Sequence, residues 1–146
     1  MVKTVLMSIK PAYARRIFDG TKRFELRRAP IKLAPGDRVI VYESAPTKAV
    51  VGSFLVVDVL REGPLVLWRR HRKEFGIARD DFFAYFEGKE TAHAIQVGAP
   101  QRVEPVPLDT LKERIAGFRP PQSYMHWHHS LDLLLRAPRI SRKGKR

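Results

Sequence analysis

The 146-residue sequence contains no cysteine, no long apolar segment and only 15 acidic residues. Without cysteine the chain has no disulfides, no thiolate metal ligands and no cysteine nucleophile. No apolar run approaches the roughly 18 residues of a membrane-spanning helix, so we expect no membrane partner. Residues 1–10 also lack the apolar core and the small-residue cleavage site of a signal peptide. These absences lead us to expect a cytoplasmic protein.

Basic residues far outnumber acidic ones. The 28 Lys and Arg residues give a formal net charge of +13 and an isoelectric point near 10.6. A field of this sign attracts polyanions, of which nucleic acid is the commonest, although a merely solvated basic surface is the alternative. Residues 136–146 hold six basic residues and no acid. We expect residues 1–135 to form one domain and residues 136–146 to form a basic, disordered tail.

Hydrophobic periodicity predicts the elements of the first half. Pro11 and Gly20 flank a helical pattern over residues 11–19, because proline suits the first helical position and glycine the C-terminal stop. Alternating or β-rich runs predict strands over residues 5–9, 23–28, 38–43 and 49–60. Gly52 lies inside the last of these strands and indicates a bulge or a tight bend.

The second half mixes short helices with strands. Helical patterns cover residues 64–75, 79–87, 108–115 and 124–135. Residues 91–97 alternate like a strand, and the prolines of residues 102–107 indicate a separate edge strand. The elements together predict an α+β fold, a small mixed β-barrel decorated with short α-helices.

The densest cluster of candidate functional residues follows the first helix. On an extended strand Arg23, Glu25 and Arg27 share one face, and Lys22 stands at the strand entrance. Such a set can grip a phosphate, accept a hydrogen bond from a base amino group and stack a guanidinium on a base. A solvated sheet face with cross-strand ion pairs is the alternative.

The spacing G-x-K-x-x-E-x-R, present as Gly20, Lys22, Glu25 and Arg27, resembles the signature of the ASCH domain family, which belongs to the PUA-like superfamily of β-barrels. Four further runs are similar to ASCH proteins in the same order: Ser8-Ile9-Lys10-Pro11-x-Tyr13-Ala14, Ser44-Ala-Pro-Thr-Lys48, Gly88-Lys-x-x-Ala92-x-Ala94-Ile95 and Arg119-Pro-Pro-Gln-Ser123-Tyr124. The resemblance covers residues 5 to about 125.

The resemblance implies a cleft that binds RNA or a modified nucleobase. We expect no cofactor. By motif position Lys22, Glu25 and Arg27 line it, and Lys10 joins them from the end of the first strand. We expect single-stranded RNA or an unpaired nucleotide, because a small cleft accepts splayed bases whereas an A-form duplex hides them. The alternative is a small ligand, a nucleoside or a nucleotide.

Two activities of the family fit this chain unequally. Some ASCH proteins are N4-acetylcytidine amidohydrolases, but these resemble G-x-K-x-x-T-x-R, with threonine in place of Glu25. Their further catalytic glutamate has no secure counterpart here, and the acids of the region to search are Asp80, Asp81, Glu87 and Glu90. Other ASCH proteins of this length are linked to metal-independent RNA cleavage, and the present sequence is more similar to these.

Cleavage without a metal needs a proton acceptor, a cation for the phosphorane and a donor for the leaving oxygen. Tyr42 and Lys48 are candidates for the proton transfers and the charge, and Ser123 or Gln122 for a hydrogen bond to phosphate. As a base at neutral pH, Tyr42 would need a cation such as Lys48 beside it. We expect RNA binding without chemistry, in which Tyr42 stacks on a base and Lys48 holds a phosphate, and cleavage is the alternative.

The histidines are weaker candidates for a functional role. His126 and His129 stand three residues apart on the helix predicted for residues 124–135, but no carboxylate with ligand spacing completes a metal site. We therefore expect no metal site and treat these histidines as surface or packing residues. A histidine that lines the cleft would be a further candidate for proton transfer.

Overall fold

Six strands and four α-helices form the described part of the computed structural model, residues 1–139. The strands are β1 (Thr4–Ile9), β2 (Phe24–Arg27), β3 (Arg38–Glu43), β4 (Ala49–Glu62), β5 (Ala92–Pro107) and β6 (Tyr124–His126). The helices are α1 (Pro11–Asp19), α2 (Pro64–His71), α3 (Arg79–Tyr85) and α4 (Leu108–Arg114), with 3-10 helices at Arg72–Glu74 and His129–Leu134. Residues 140–146, most of the predicted basic tail, lie outside the described residues.

The strands form one sheet in the order β2-β5-β4-β3-β1-β6. All neighbouring pairs are antiparallel except β1 with β3, which is parallel. Three strands separate β1 from β2 in the sheet, yet Nη2 of Arg27 on β2 donates a 2.9 Å hydrogen bond to the carbonyl of Ser8 on β1. The sheet must therefore be curled. The predicted α+β fold with a small, barrel-like mixed sheet and short helices is confirmed.

Three apolar clusters hold the elements together. The interior of the curled sheet is filled from β1, α1, β3 and β4, with Met7, Ile17 and Val41 fully buried. A second cluster packs α4 and Trp127 on the outer face of β1 and β3. In the third, the phenylalanines of α3 and its neighbouring segments cover the face of β2 opposite the interior. Each strand is thus fixed by packing as well as by its hydrogen-bond ladder.

Within residues 1–139 no helix has the length and hydropathy needed to cross a membrane.

Local signals placed several elements correctly. Helix α1 begins at Pro11 and is followed by Gly20 in the left-handed region at φ 89°, so both of its predicted ends are confirmed. The register of β4 against β5 shifts between Val50 and Gly52, which confirms the irregularity predicted at Gly52. A Cβ atom at Gly52 would lie 2.4 Å from the Phe18 ring and 2.5 Å from the Gln101 carbonyl oxygen. The missing side chain therefore lets α1 pack against the strand.

Two expectations were wrong. Residues 91–97 and 102–107 are not separate strands but parts of one strand, β5, which pairs with β4 along its length and with β2 only near its start. Residues 124–135 do not form a single helix, because Tyr124–His126 pair with the outer edge of β1 and a 3-10 helix follows. In both places pairing with a distant strand outweighs the local pattern.

Replacement of Gly52 by alanine is expected to lower the free energy of unfolding by about 1–3 kcal/mol, because the new methyl group overlaps a ring and a backbone oxygen. Urea unfolding of the purified variant measures the change. The matched control is Gly63→Ser, where the nearest atom to a Cβ is 3.6 Å away and serine suits the N-cap. Equal stability of Gly52→Ala and the wild type would contradict the close packing of α1 on β4.

Candidate functional site

A cleft of about 790 Å³ opens where the two sides of the curled sheet approach each other. Its walls come from the end of β1 and the start of α1, from β2, from the end of β3 with its following loop, from α3, and from residues 120–122. Ser8 fixes the last of these walls, since its backbone N–H donates to the Ser123 carbonyl at 3.1 Å and its hydroxyl to the Pro121 carbonyl at 2.6 Å. The cleft is therefore the unpaired seam between β1 and β2.

The seam brings together most of the residues singled out in the sequence. Those that line the cleft are Lys10, Lys22, Glu25, Arg27, Tyr42, Lys48 and Gln122. Ser123 is exposed next to this set and does not line the cleft. The sequence motif and the loop between β3 and β4, which are distant in the chain, thus face one volume.

Arg27 links both sides of the cleft. Its Nε and Nη2 atoms donate to one carboxylate oxygen of Glu25 at 3.0 and 2.8 Å, and Nη2 also donates to the Ser8 carbonyl. Glu25 is only 5 % exposed, so its charge depends on this partner. The two side chains lie on one face of β2, as predicted from their spacing, but they form a buried pair and not a solvated surface.

Lys22 is a buried cation at the floor of the cleft. The residue is 2 % exposed, its Nζ donates to the Phe75 carbonyl at 2.7 Å, and Nζ lies 4.9 Å from the centroid of the Tyr13 ring. Burial lowers the pKa of Lys22, and the nearby carboxylate of Glu25 partly opposes this effect. The amine can therefore release its proton more readily than an ordinary lysine.

Burial also shifts the pKa of Tyr42, but in the direction opposite to that of Lys22. It is 3 % exposed, and burial raises the pKa of its hydroxyl. The hydroxyl therefore keeps its proton at neutral pH. This differs from the sequence-based idea that a neighbouring cation such as Lys48 would make Tyr42 a base, and it favours Tyr42 as a proton donor.

Lys48 stands at the end of the loop between β3 and β4, with an exposed side chain and a left-handed backbone at φ 51°. The loop is held from both ends. The Thr47 hydroxyl donates to the buried carboxylate of Glu43, and the Leu108 N–H donates to the Lys48 carbonyl at 2.9 Å. These bonds fix the backbone that presents the Lys48 amine to the cleft.

Charge and ring faces in the cleft suit an anionic aromatic ligand. Four basic side chains line it, and of the two acidic ones Glu25 is paired with Arg27 while Asp81 is exposed. Tyr13 and Tyr85 add aromatic rings to the wall. Cations beside aromatic faces are the combination that holds phosphates and stacked bases.

Other candidate groups lie elsewhere. All five histidines fall within residues 1–139, and none lines the cleft. His129 instead contacts the Asp132 carboxylate at 3.1 Å on the surface. Among Asp80, Asp81, Glu87 and Glu90, only Asp81 lines the cleft. In the described part of the chain no three His, Asp or Glu side chains form a group that could hold a metal ion.

Sequence reasoning missed three contributors to the site. Tyr85 lies on α3 and donates from its hydroxyl to the Leu26 carbonyl at 3.2 Å, but in the sequence it stands among phenylalanines that form the core. The Phe75 carbonyl that holds Lys22 is a backbone group and leaves no trace in the sequence. Tyr13 was visible in the motif around Lys10, and its motif position was the signal that could have placed it in the site.

Two proteins resemble this sequence over more than half of its length. The chain is 35% identical over 122 residues to an ASCH domain-containing ribonuclease from Zymomonas mobilis, covering 83% of this chain and 82% of that protein. It is also 32% identical over 93 residues to the large ribosomal subunit protein uL22 of Ureaplasma parvum, of which the match covers 30%.

Solved structures agree with the fold. The crystal structure of ASCH from Zymomonas mobilis matches with a TM-score of 0.87 at 31% identity, over 92% of this chain and 97% of that one. A hypothetical protein from Leishmania major, 15% identical with a TM-score of 0.55 over 92% of each chain, shares the fold alone. The family model of the ASCH domain matches residues 7–106. The chain therefore belongs to the ASCH domain family, which has a PUA-like fold.

Proposed function

We propose that this protein is a metal-independent ribonuclease that binds single-stranded RNA in the cleft and acts in the cytoplasm. The observation that carries the proposal is the convergence of Tyr42, Lys48, the buried Lys22 and the partly buried Arg27 on one cleft. The relative named as a ribonuclease supports it. Two further solved structures are variants of the Zymomonas mobilis protein, one with a tyrosine replaced by phenylalanine and one with a serine replaced by alanine.

The cleft suits a single strand better than a duplex. Its volume of about 790 Å³ admits a few splayed nucleotides, and its tyrosine rings offer faces on which bases stack. Lys10 and Arg27 hold phosphates, Lys22 lies beside them at the floor of the cleft, and Glu25 accepts a hydrogen bond from a base amino group. The basic residues of 136–146 add affinity that depends on salt and not on sequence.

The proposed reaction is attack of a ribose 2′-hydroxyl on the adjacent phosphorus. The O2′–P bond forms, the P–O5′ bond breaks, and the products end in a 2′,3′-cyclic phosphate and a 5′-hydroxyl. Lys22 accepts the 2′-hydroxyl proton in its neutral form, which burial favours. Tyr42 donates its proton to the leaving O5′. Lys48 balances the phosphorane charge, and Gln122 donates a hydrogen bond to phosphate in the cleft. The exposed Ser123 donates from outside the cleft lining, to the strand where it leaves the cleft.

The two other candidate functions have less support. Binding without cleavage would use the same cleft, and cleavage assays separate it from the proposal. Deacetylation of N4-acetylcytidine would require a role for Glu25 at the position where those enzymes have threonine, and here the Glu25 carboxylate is buried against Arg27. Release of acetate from N4-acetylcytidine by the purified protein would support deacetylation as the function.

Tyr42→Phe is expected to lower the RNA cleavage rate at least about 100-fold, because it removes only the donated proton. Binding should stay within about twofold, since the ring remains. The measurement is a denaturing gel of end-labelled single-stranded RNA in excess EDTA, with binding measured by anisotropy. Tyr13→Phe is the matched control, because it removes a hydroxyl from another tyrosine of the cleft. Cleavage by Tyr42→Phe at the wild-type rate would contradict the assignment.

The pH dependence of kcat/KM follows from the two pKa shifts. The rate should rise with pH as Lys22 loses its proton, and the midpoint should lie below the ordinary lysine value of 10.5. It should fall only as Tyr42 ionises, above the ordinary tyrosine value of 10.0. The profile is measured in EDTA after subtraction of protein-free alkaline hydrolysis. Lys22→Gln should lack the rising limb, and an unchanged limb in this variant would exclude Lys22 as the base.

A further inference from the structure

A second recess of about 310 Å³ lies beyond the end of β2. It is lined by residues from the turn after β2, from the segment between α3 and β5 and from the start of β5, and these residues are Arg28, Pro30, Gly88, Lys89, Glu90, Thr91 and His93. None of them belongs to the wall of the main cleft. The Arg28 guanidinium also reaches the Glu87 carbonyl at 3.4 Å, so the two segments meet at this recess.

The recess adjoins the main cleft through one cross-strand pair. Arg27 on β2 stands opposite His93 on β5, and His93 in turn stands opposite Arg61 on β4. Directly opposed residues of antiparallel strands lie on the same face of the sheet, with Cβ atoms about 5 Å apart. Arg27 lines the cleft and His93 lines the recess, so one cross-strand pair joins the linings of the two cavities.

His93 is a buried polar group without a partner among residues 1–139. The residue is 6 % exposed, and its Nδ1 atom makes no hydrogen bond with the described part of the chain. Burial first, and then the positive charges of Arg61 and Lys89, lower the pKa of His93. A neutral imidazole surrounded by cations marks a place of positive potential. Buried polar atoms are rarely left unpaired, and the unpaired Nδ1 belongs to a side chain that lines the recess.

The remaining chemistry of the recess is that of an anion site. Arg28 and Lys89 are exposed cations on its rim, and Thr91 can contribute a hydroxyl donor. Glu90 is the acidic member of the set and is exposed like the two cations, which outnumber it. A guanidinium, an ammonium and a hydroxyl around a small recess provide the donors that a phosphate group needs.

We propose that the recess is a phosphate subsite, which binds a phosphodiester of the same RNA strand next to the nucleotides held in the main cleft. The inference rests on the proposed function for its ligand, an RNA strand, but not on cleavage of that strand. The subsite would extend the bound length of RNA past Arg27 and align the strand in the cleft. It gives Arg28 and Lys89 a role in affinity and none in the chemistry.

The test is a comparison of two double variants that lose the same charge. Arg28→Gln/Lys89→Gln removes the rim of the recess, and the control Arg15→Gln/Lys112→Gln removes two exposed cations that line neither cavity. Binding of a fluorescent 2′-O-methyl RNA of about 10 nucleotides, which cannot be cleaved, is measured over a range of salt concentrations. Each phosphate contact of a single strand contributes about 0.7 to the slope of log K against log salt.

The rim variant is expected to bind about tenfold more weakly at low salt, with a slope reduced by about 0.7, and the control should match the wild type. In the wild type the amide NMR signals of Thr91 and His93 should shift with RNA, and in the rim variant they should not. Equal losses in both double variants, or none in the rim variant, would overturn the subsite. If the wild type fails to cut RNA but the rim variant still shows the reduced slope of log K against log salt, the ribonuclease proposal fails and the subsite stands.

Discussion

The hydrogen bonds of Arg27 are the interaction on which the rest of the site depends. In the sheet order β1 and β2 are separated by three strands, yet the Arg27 guanidinium on β2 reaches the Ser8 carbonyl on β1. A side chain and not a backbone ladder spans the seam, so the two strands approach without closing the barrel. The gap that remains is the cleft. Glu25 holds the guanidinium in place, and its buried carboxylate is tolerable only because Arg27 neutralises it.

Burial of the cleft floor then sets the chemistry. Loss of water disfavours the charged form of any ionisable group, so the pKa of Lys22 falls while that of Tyr42 rises. A larger fraction of Lys22 is then in the neutral form that can accept a proton, while Tyr42 keeps the proton that it can donate, and cleavage by a 2′-hydroxyl requires one group of each kind. Lys48, on a loop fixed by Glu43 and Leu108, supplies charge from the opposite wall. The same open seam that shapes the cleft thus supports the proposed acid and base.

The sequence predicted the parts of this arrangement that short-range signals determine. Pro11 and Gly20 set both ends of α1, and the motif spacing placed Lys22, Glu25 and Arg27 together on or beside one strand. Pairing between distant segments was beyond such signals. The continuity of β5 depends on its long partner β4, and β6 exists because the outer edge of β1 takes Tyr124–His126 as a partner. The acceptor of Lys22 is a peptide carbonyl, for which any residue at position 75 would have served.

The central claim is that this cleft cleaves RNA through the 2′-hydroxyl with the protein's own side chains. Identification of the product ends tests it most directly. Single-stranded RNA is digested with the purified protein in excess EDTA, and the fragments are analysed by mass spectrometry. We expect 2′,3′-cyclic phosphates and 5′-hydroxyls, with no cut at a nucleotide that lacks its 2′-hydroxyl. Fragments with 5′-phosphates, or cleavage at the 2′-deoxy position, would contradict it.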